Sequence, residues 1–424
     1  MEQRSFPHDF DKSPEARSAK AVAEQLVSAG HQAVLAGGAV RDMLLGREPK
    51  DFDIATDAHP QTVLKAFSNT RKVGIAFGVV LVRDFEATVE VATFRADLDY
   101  QDGRHPEGVV FSDAPTDAQR RDFSVNGLFY DLATQTVIDH VGGLEDLEQK
   151  KLRAIGEPEQ RFREDYLRLL RAVRFAVSLD FDIEARTWEA IKACAPSIRH
   201  IAVDRVHEEL RRSFAQGHSD RALELLIGSR LWQTLLPLSV SSTEAAEQNQ
   251  EPRWSTKALW HEPNKLEAGE GKLATVIGLS HQHLKHKQLE KLCVELRCTN
   301  AEKKEVLDLN WTLGQLSQYH KLDTVARKRL LRRHEAQQLR FAVLHSQPCL
   351  EQQQNILTDL KRWTKTELWP DFLPRGKDLI AMGVKPGPEL GHWLKQLEDL
   401  ALNGSITNQN EAEAALTQGL KRDS

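Results

Sequence analysis

Cysteine is scarce in this sequence, long apolar runs are missing, and there is no excess of positive charge. Four cysteines (Cys194, Cys293, Cys298 and Cys349) stand in 424 residues. They are too few and too scattered for a disulfide framework. Cys293 and Cys298 lie five apart, not at the CxxC spacing of a structural zinc site, so free thiols are expected. No run of eighteen apolar residues occurs, which excludes a membrane-spanning helix. The opening MEQRSFPHDF lacks the apolar segment of a secretory leader. A cytoplasmic protein with no membrane association follows. The formal net charge of −5 argues against sequence-independent coating of nucleic acid, so any RNA binding must come from local basic clusters. No repeat of fixed period is present.

The apolar share of 40% and the charged share of 28% are those of a globular protein, and the length predicts two to four modules. Ser13 suits an N-cap with Pro14 at the first helical position, and Gly30 ends that helix. HQAVLA (31–36) reads as a strand and is followed by Gly37-Gly38, a short helix over 39–45, and Gly46. Residues 52–55 are strand-like and 59–67 helix-like. TVEVATF (88–94) alternates as a half-buried strand does. After Gly142-Gly143 helical periods dominate and no β-run follows, with a polar loop over 244–271. The expected class is α+β, a mixed sheet with helices followed by an all-α region.

Asp51-Phe52-Asp53 places two acids two residues apart, on one side of a strand with Phe52 behind them. Such a pair is electrostatically unfavourable unless a cation lies between, and hard divalent ions such as Mg²⁺ take oxygen ligands of this kind. Glu90, in the alternating strand, is the natural third carboxylate. Three acids of this type suit in-line phosphoryl transfer, with one metal at the attacking hydroxyl and one at the leaving pyrophosphate oxygen. A DxD pair alone is more often a solvated or capping pair. The Gly37-Gly38 turn, the Arg41-Asp42 helix and Gly46 ahead of it sharpen the reading.

LAGGAVRDMLLGREPKDFDIAT (35–56) resembles the signature of class II tRNA nucleotidyltransferases and bacterial poly(A) polymerases. RRDFSVNG (120–127) looks like the family's ribose-recognition motif, DHVGGLEDLEQKKLRAIG (139–156) like its head-to-neck segment, and RFREDYLRLLRAVRFA (161–176) like its nucleotide-selecting helix. These cover about the first 215 residues; KDLIAMGVKPGPELGHWL (377–394) resembles a C-terminal segment of the tRNA enzymes. Ser124 stands in place of the more usual Thr, and Gly127 in place of Ala.

The resemblance implies a polymerase-β-like nucleotidyltransferase head over 1–145, a helical neck over 146–215, a helical body over 216–310 and a helical, tRNA-binding tail over 311–424. Asp51 and Asp53 would bind the metals. Gly37, Gly38, Arg41 and Asp42 would contact the triphosphate or shape its loop. Arg121 and Asp122, with Asn126 of the same motif, would lie by the ribose. In the selecting helix Glu164, Arg168 and Arg171 share one face, Arg174 follows a turn later, and Asp165 can pair with Arg168. Asp165 accepting from an exocyclic amine and Arg168 donating to a ring nitrogen would admit C and A but reject U and G. The segment 97–111 would be a flexible loop acting as a lever between C and A.

The implied enzyme adds CCA, or part of it, to the tRNA 3′ end from CTP and ATP with Mg²⁺, releasing pyrophosphate and needing no obligate protein partner. An A-adding or CC-adding enzyme and a poly(A) polymerase share every head motif. RKRLLRRH (327–334) offers Arg327, Lys328, Arg329, Arg332 and Arg333 as a grip on RNA phosphates. Arg205, Arg211 and Arg212 form a second basic group. His281, His283 and His286 suit no helical metal face and read as surface or core histidines.

Overall fold

The computed structural model describes residues 2–98, 108–215, 218–236, 272–281, 284–345 and 350–421. The chain divides into two compact units, Met1–Gln216 with Arg221–Pro237, and Gly217–Asp220 with Leu238–Ser424. The expected polar segment 244–271, the loop tip 99–107 and His283 lie outside the described residues.

The first unit is built on an eight-stranded sheet. Its strands are β1 (Glu2–Ser5), β2 (Ala33–Ala36), β3 (Asp53–Thr56), β4 (Thr70–Gly74), β5 (Val79–Val82) and β6 (Val89–Thr93), then, beyond the short hairpin of β7 (Arg95–Asp97) and β8 (Val109–Phe111), β9 (Leu128–Asp131) and β10 (Thr136–Asp139). The order is β1-β10-β9-β2-β3-β6-β5-β4. All neighbours run antiparallel except β3 and β6, where Ile54 stands beside Val91. The residues just before these, Asp53 and Glu90, therefore sit side by side on adjacent strands. Phe94 and Phe129, both fully buried, pack edge-to-face with Val34, Ala36 and Ala55 beneath the sheet. Truncating either ring would cost about 3–5 kcal/mol.

Helix α1 (Pro14–Ser28) starts as its sequence predicts: Ser13 Oγ accepts from the Ala16 amide at 3.1 Å. Helix α2 (Gly38–Leu44) follows β2 directly, because Gly37 turns the chain at φ +71°. A Cβ there would lie 2.8 Å from Arg121 Nη1, so backbone conformation and close approach both require glycine. This turn also fixes where β3 begins. Its partner β2 ends at Ala36, opposite Asp53, so pairing starts at Asp53 and leaves Asp51 in the irregular stretch before it. Asp51 and Asp53 do not share a strand, as alternation alone had suggested.

After α3 (Pro60–Ala66), α4 (Ala114–Gln119) and α5 (Gly143–Glu148) the unit is mainly helical. Two parallel pieces of two residues each, Lys151–Leu152 and Asp182–Ile183, interrupt it; they are too short to leave an alternating signature. The stretch expected as one selecting helix is two, α6 (Pro158–Glu164) and α7 (Leu167–Leu179). Asp165 between them is extended (φ −147°, ψ 105°), and its Oδ1 accepts from the Leu167 amide at 3.0 Å, starting the second helix. Beyond α8 (Ala185–Cys194), α9 (Val203–Phe214) packs on α7.

The described part of the second unit contains helices and no strand. One core gathers Leu379, Trp393, Leu397, Ile406 and Leu416. Gly419 lies against the Trp393 ring, where any Cβ would overlap it.

Candidate active site

Asp53 and Glu90 open into a cleft of ≈ 530 Å³ within the first unit. Its other walls carry Gly37, Gly38 and Arg41 from the β2–α2 turn, Arg120, Arg121, Asp122 and Asn126 from the segment after α4, and Asp165, Arg168 and Arg171 from the α6–α7 junction. Residues from distant stretches of sequence thus converge on one space. Asp42, Asp51 and Arg174, also expected at the site, are not among the lining residues.

The acids crowd one another. Withdrawal from water, then the charges of Glu90 and Asp51, push the Asp53 carboxyl up to about 6, against the opposing pull of Arg121. The Glu90 carboxyl is raised by burial and by Asp51, while Arg95 opposes the shift. Asp51 is exposed, yet its charge reaches both. A cation among these carboxylates would relieve the repulsion. Among the described residues no three acidic, histidine or cysteine side chains converge into a ready cage. Mg²⁺ keeps waters and takes substrate phosphate oxygens alongside one or two carboxylates, a donor set that Asp53 and Glu90 fit.

The arginines around the cleft are held rather than loose. Arg41 is buried, with Nε on Asp42 at 2.8 Å and Nη1 on Asn126 Oδ1 at 2.5 Å. Arg120 and Arg121 both bind Asp117, itself buried, at 2.7 and 3.0 Å. Arg171 grips Asp122 Oδ2 with Nε and Nη2, at 2.8 and 2.6 Å. Burial alone would raise the Asp122 carboxyl, but the Arg171 charge and the hydrogen bonds from Asn126 and Arg171 outweigh it and hold it at about 2. With the Phe123 amide also on Oδ1, both Asp122 oxygens are engaged, so it works as a bracket more than as a free acceptor for ribose hydroxyls. Arg41, Arg171 and Arg174 surround the Phe175 ring at 5.3, 5.2 and 4.1 Å. Arg174 stands behind the wall, paired with buried Glu209 at 2.7 Å.

The base-reading pair differs from its expected form. Asp165 does not bond Arg168; its Oδ2 accepts from Arg205 Nη2 at 2.9 Å. Arg168 Nη1 instead bonds Glu164 and the Arg161 carbonyl oxygen. The helix break at Asp165 turns its side chain away from the i, i+3 direction that a continuous helix would give. Arg205 lines the cleft, and its role here was hidden in the sequence by forty positions of separation from Asp165. Its expected companions Arg211 and Arg212 pair with Glu208. Gly127 is explained by contact: a Cβ would come within 2.7 Å of Val141.

Comparison with known proteins agrees with this geometry. Residues 33–153 match the poly A polymerase head domain, and 180–240 the family described as "probable RNA and SrmB- binding site of polymerase A". The CCA-adding enzyme of Streptococcus thermophilus is 31% identical over 100% of both chains, and that of Limosilactobacillus reuteri 34% over 92% of this chain and 93% of its own. The chain belongs to the CCA-adding enzyme family. The crystal structure of the Bacillus stearothermophilus CCA-adding enzyme in complex with CTP covers 97% of this chain and 99% of its own, at 26% identity and TM-score 0.59. The Thermotoga maritima CCA-adding enzyme complexed with tRNA shares the fold at 17% identity, TM-score 0.68, over 97% and 99% of the two chains.

In this CCA-adding family member the basic stretch 327–334 is committed to its own unit. Arg329 and Arg332 bind Glu398, Arg329 also reaches Asp399, and Arg333 binds Asp308 at 3.0 Å and stacks on Trp311. Arg327 lies 3.5 Å from Asp359 and over the Tyr319 ring. Lys328 is buried against Trp363. His281 is buried, its Nδ1 2.9 Å from the Ile277 carbonyl oxygen, and packs as a core residue. Among the described residues no helix is long and apolar enough to cross a membrane.

Proposed function

We propose that the chain builds the CCA end of tRNA, transferring nucleotides from CTP and ATP to the 3′ hydroxyl and releasing pyrophosphate. What carries the reading is one cleft lined both by Asp53 and Glu90, acids suited to phosphoryl transfer, and by Asp165 and Arg168, a pair suited to base reading. Asp53 and Asp51, with Glu90 beside them, would hold Mg²⁺. When bound, that ion supplies charge neutralisation at the triphosphate and lowers the pKa of the attacking hydroxyl.

The chain's own residues do the rest. Asp165 accepts from the amine of cytosine or adenine while Arg168 donates to the adjacent ring nitrogen. Uracil and guanine present a carbonyl and a ring N–H there, leaving both protein groups mismatched. Glu164 and the Arg161 carbonyl aim Arg168. Arg41 faces the triphosphate from the turn shaped by Gly37 and Gly38, with Arg121, from the segment after α4, packed close to Gly37. Asp122 holds Arg171 and Asn126 at the nucleotide's edge. Contact with tRNA phosphates through Arg327, Arg329, Arg332 and Arg333 requires exchange of a carboxylate for a phosphate, and is accordingly weak and salt-sensitive.

The test uses tRNAs ending at the discriminator base, at C and at CC, each given one nucleoside triphosphate. CTP should extend the first two and stop, and ATP should extend only the third, by one residue. Addition of A alone, of CC alone, or of a long A tail would replace this reading with one of the narrower enzymes or a poly(A) polymerase.

A further inference from the structure

The turn that ends the helix His286–Glu295 brings together two thiols that the chemistry of the cleft leaves unused. Arg297 takes the left-handed conformation, φ +56°, and reverses the chain. Its amide donates to the Val294 carbonyl oxygen at 3.1 Å, and the Cys298 amide donates to the Cys293 carbonyl oxygen at 2.9 Å. A helix end closed by these two bonds sets its third-last residue against the second residue beyond it, usually as an apolar contact. Here both positions are cysteines, and their thiols hydrogen-bond each other. The backbone is held on both sides. The next helix, Asn300–Leu316, begins at once, with Thr299 Oγ1 accepting from the Glu302 amide at 3.2 Å, and Lys303 binds Glu290 at 3.0 Å across the turn. Cys293 is 1% exposed, whereas Cys298 is only partly buried. The hydrogen bond from Cys298 pulls the Cys293 thiol below its ordinary value against the effect of burial, while burial pushes the Cys194 thiol of the first unit up.

We propose that Cys293 and Cys298 are an oxidation site, closing to a reversible disulfide when the protein meets a hydroperoxide. The two sulfurs already touch on a fixed backbone, so bond formation asks only for side-chain rotation. Loss of one proton from the pair leaves a thiolate that the other S–H supports. With the charge on the more accessible Cys298, its sulfur attacks hydrogen peroxide. The O–O bond breaks, the departing oxygen takes a proton and leaves as water, and Cys298 becomes a sulfenic acid. The Cys293 sulfur then attacks the Cys298 sulfur. The S–O bond breaks as the S–S bond forms, and the hydroxyl leaves as water with the Cys293 proton. Each sulfur is oxidised by one electron, and the peroxide takes up both. An added dithiol restores the two thiols by exchange. This chemistry is independent of the function proposed for the cleft.

Trypsin cuts after Lys291 and Arg297 and so separates the two cysteines. Folded full-length protein treated with hydrogen peroxide, alkylated and digested should yield peptides 292–297 and 298–303 joined. Dithiothreitol before alkylation should return both as separate alkylated peptides. In Cys293→Ala the reaction should stop at the Cys298 sulfenic acid, and dimedone should label it at least about fivefold more than in the wild type, where Cys293 consumes it. Wild-type Cys298 driven to sulfinic acid without joined peptides would overturn the proposal. So would equal dimedone labelling of the two proteins, or a main product that links Cys194 or Cys349 instead.

Discussion

Two arginine-rich helices look alike in the sequence and are used differently in the structure. Helix α7 carries Arg168, Arg171 and Arg174 among leucines; the helix Thr324–Leu331 carries Arg327 and Arg329 among leucines, with Arg332 and Arg333 just beyond. In both, most guanidiniums bind carboxylates. The difference lies in the partner. Arg171 binds Asp122, whose side chain is 8% exposed in a cleft wall, while Arg329 and Arg332 share Glu398, 28% exposed on the neighbouring helix Pro388–Asn403. The first arrangement presents arginine edges to a cavity and stakes a buried charge on them. The second staples two helices. A basic helix is therefore not an RNA grip until the acids facing it are known.

The sharpest contrast should appear in catalysis. Asp53→Asn should cut nucleotide transfer by about a thousandfold, the several kcal/mol that a metal-binding carboxylate controls. Arg329→Met should leave the rate with saturating tRNA within about twofold, since a half-exposed pair is worth only about 1 kcal/mol and serves the fold. Single-turnover kinetics of the two variants would read this, and a slow Arg329→Met enzyme would erase the contrast.

Stability should divide the regions next. Arg171→Met leaves Asp122 charged, buried and unpaired, a cost of about 3–5 kcal/mol. The same change at Arg332 should cost about 1 kcal/mol or less. Denaturant unfolding measures both, and equal losses would mean that partner burial does not set the energy. Glu398→Gln removes the carboxylate that Arg329 and Arg332 share, leaving Arg329 its Asp399 partner. It should lower stability by about 1 kcal/mol and yet tighten tRNA binding at low salt, with a steeper salt dependence. An unchanged salt slope would show that these arginines lie off the RNA path.

How much of this was legible follows from distance along the chain. The Ser13 cap, the Gly37 turn and the alternation around Glu90 are local, and each stands as its residues predict. The site's acids were legible as types, but the place of Asp51 was not, because the end of β2 decides where β3 begins. The break at Asp165 carries no glycine or proline to announce it. The pairs Arg41–Asn126, Asp122–Arg171 and Asp165–Arg205 join residues 85, 49 and 40 positions apart, where periodicity is silent. Glu398, 69 positions from Arg329, was hidden as the partner of the 327–333 cluster for the same reason.

A smaller effect concerns pH. The Asp53 carboxyl, raised to about 6, keeps its proton in the folded state between its ordinary value of 3.8 and 6. Stability without metal should therefore fall as pH rises through that window, and Asp53→Asn should remove the loss. The variant should melt about 1–2 °C above wild type at pH 7.5 and level with it at pH 4, a modest gain because the carboxylate still meets solvent. No such crossing is expected in the tail, where the paired Glu398 carboxyl is held below its usual range by Arg329 and Arg332 despite partial burial.

On the proposed function, Arg168 at the α6–α7 junction chooses the base and the arginines of 327–333 do not. This is tested most directly by giving tRNA ending in CC each of the four nucleoside triphosphates with Arg168→Met and Arg332→Met. Arg168→Met should accept UTP or GTP within about tenfold of ATP, while Arg332→Met excludes both as the wild type does. Exclusion of UTP and GTP by both variants, or its loss in Arg332→Met, would contradict the account.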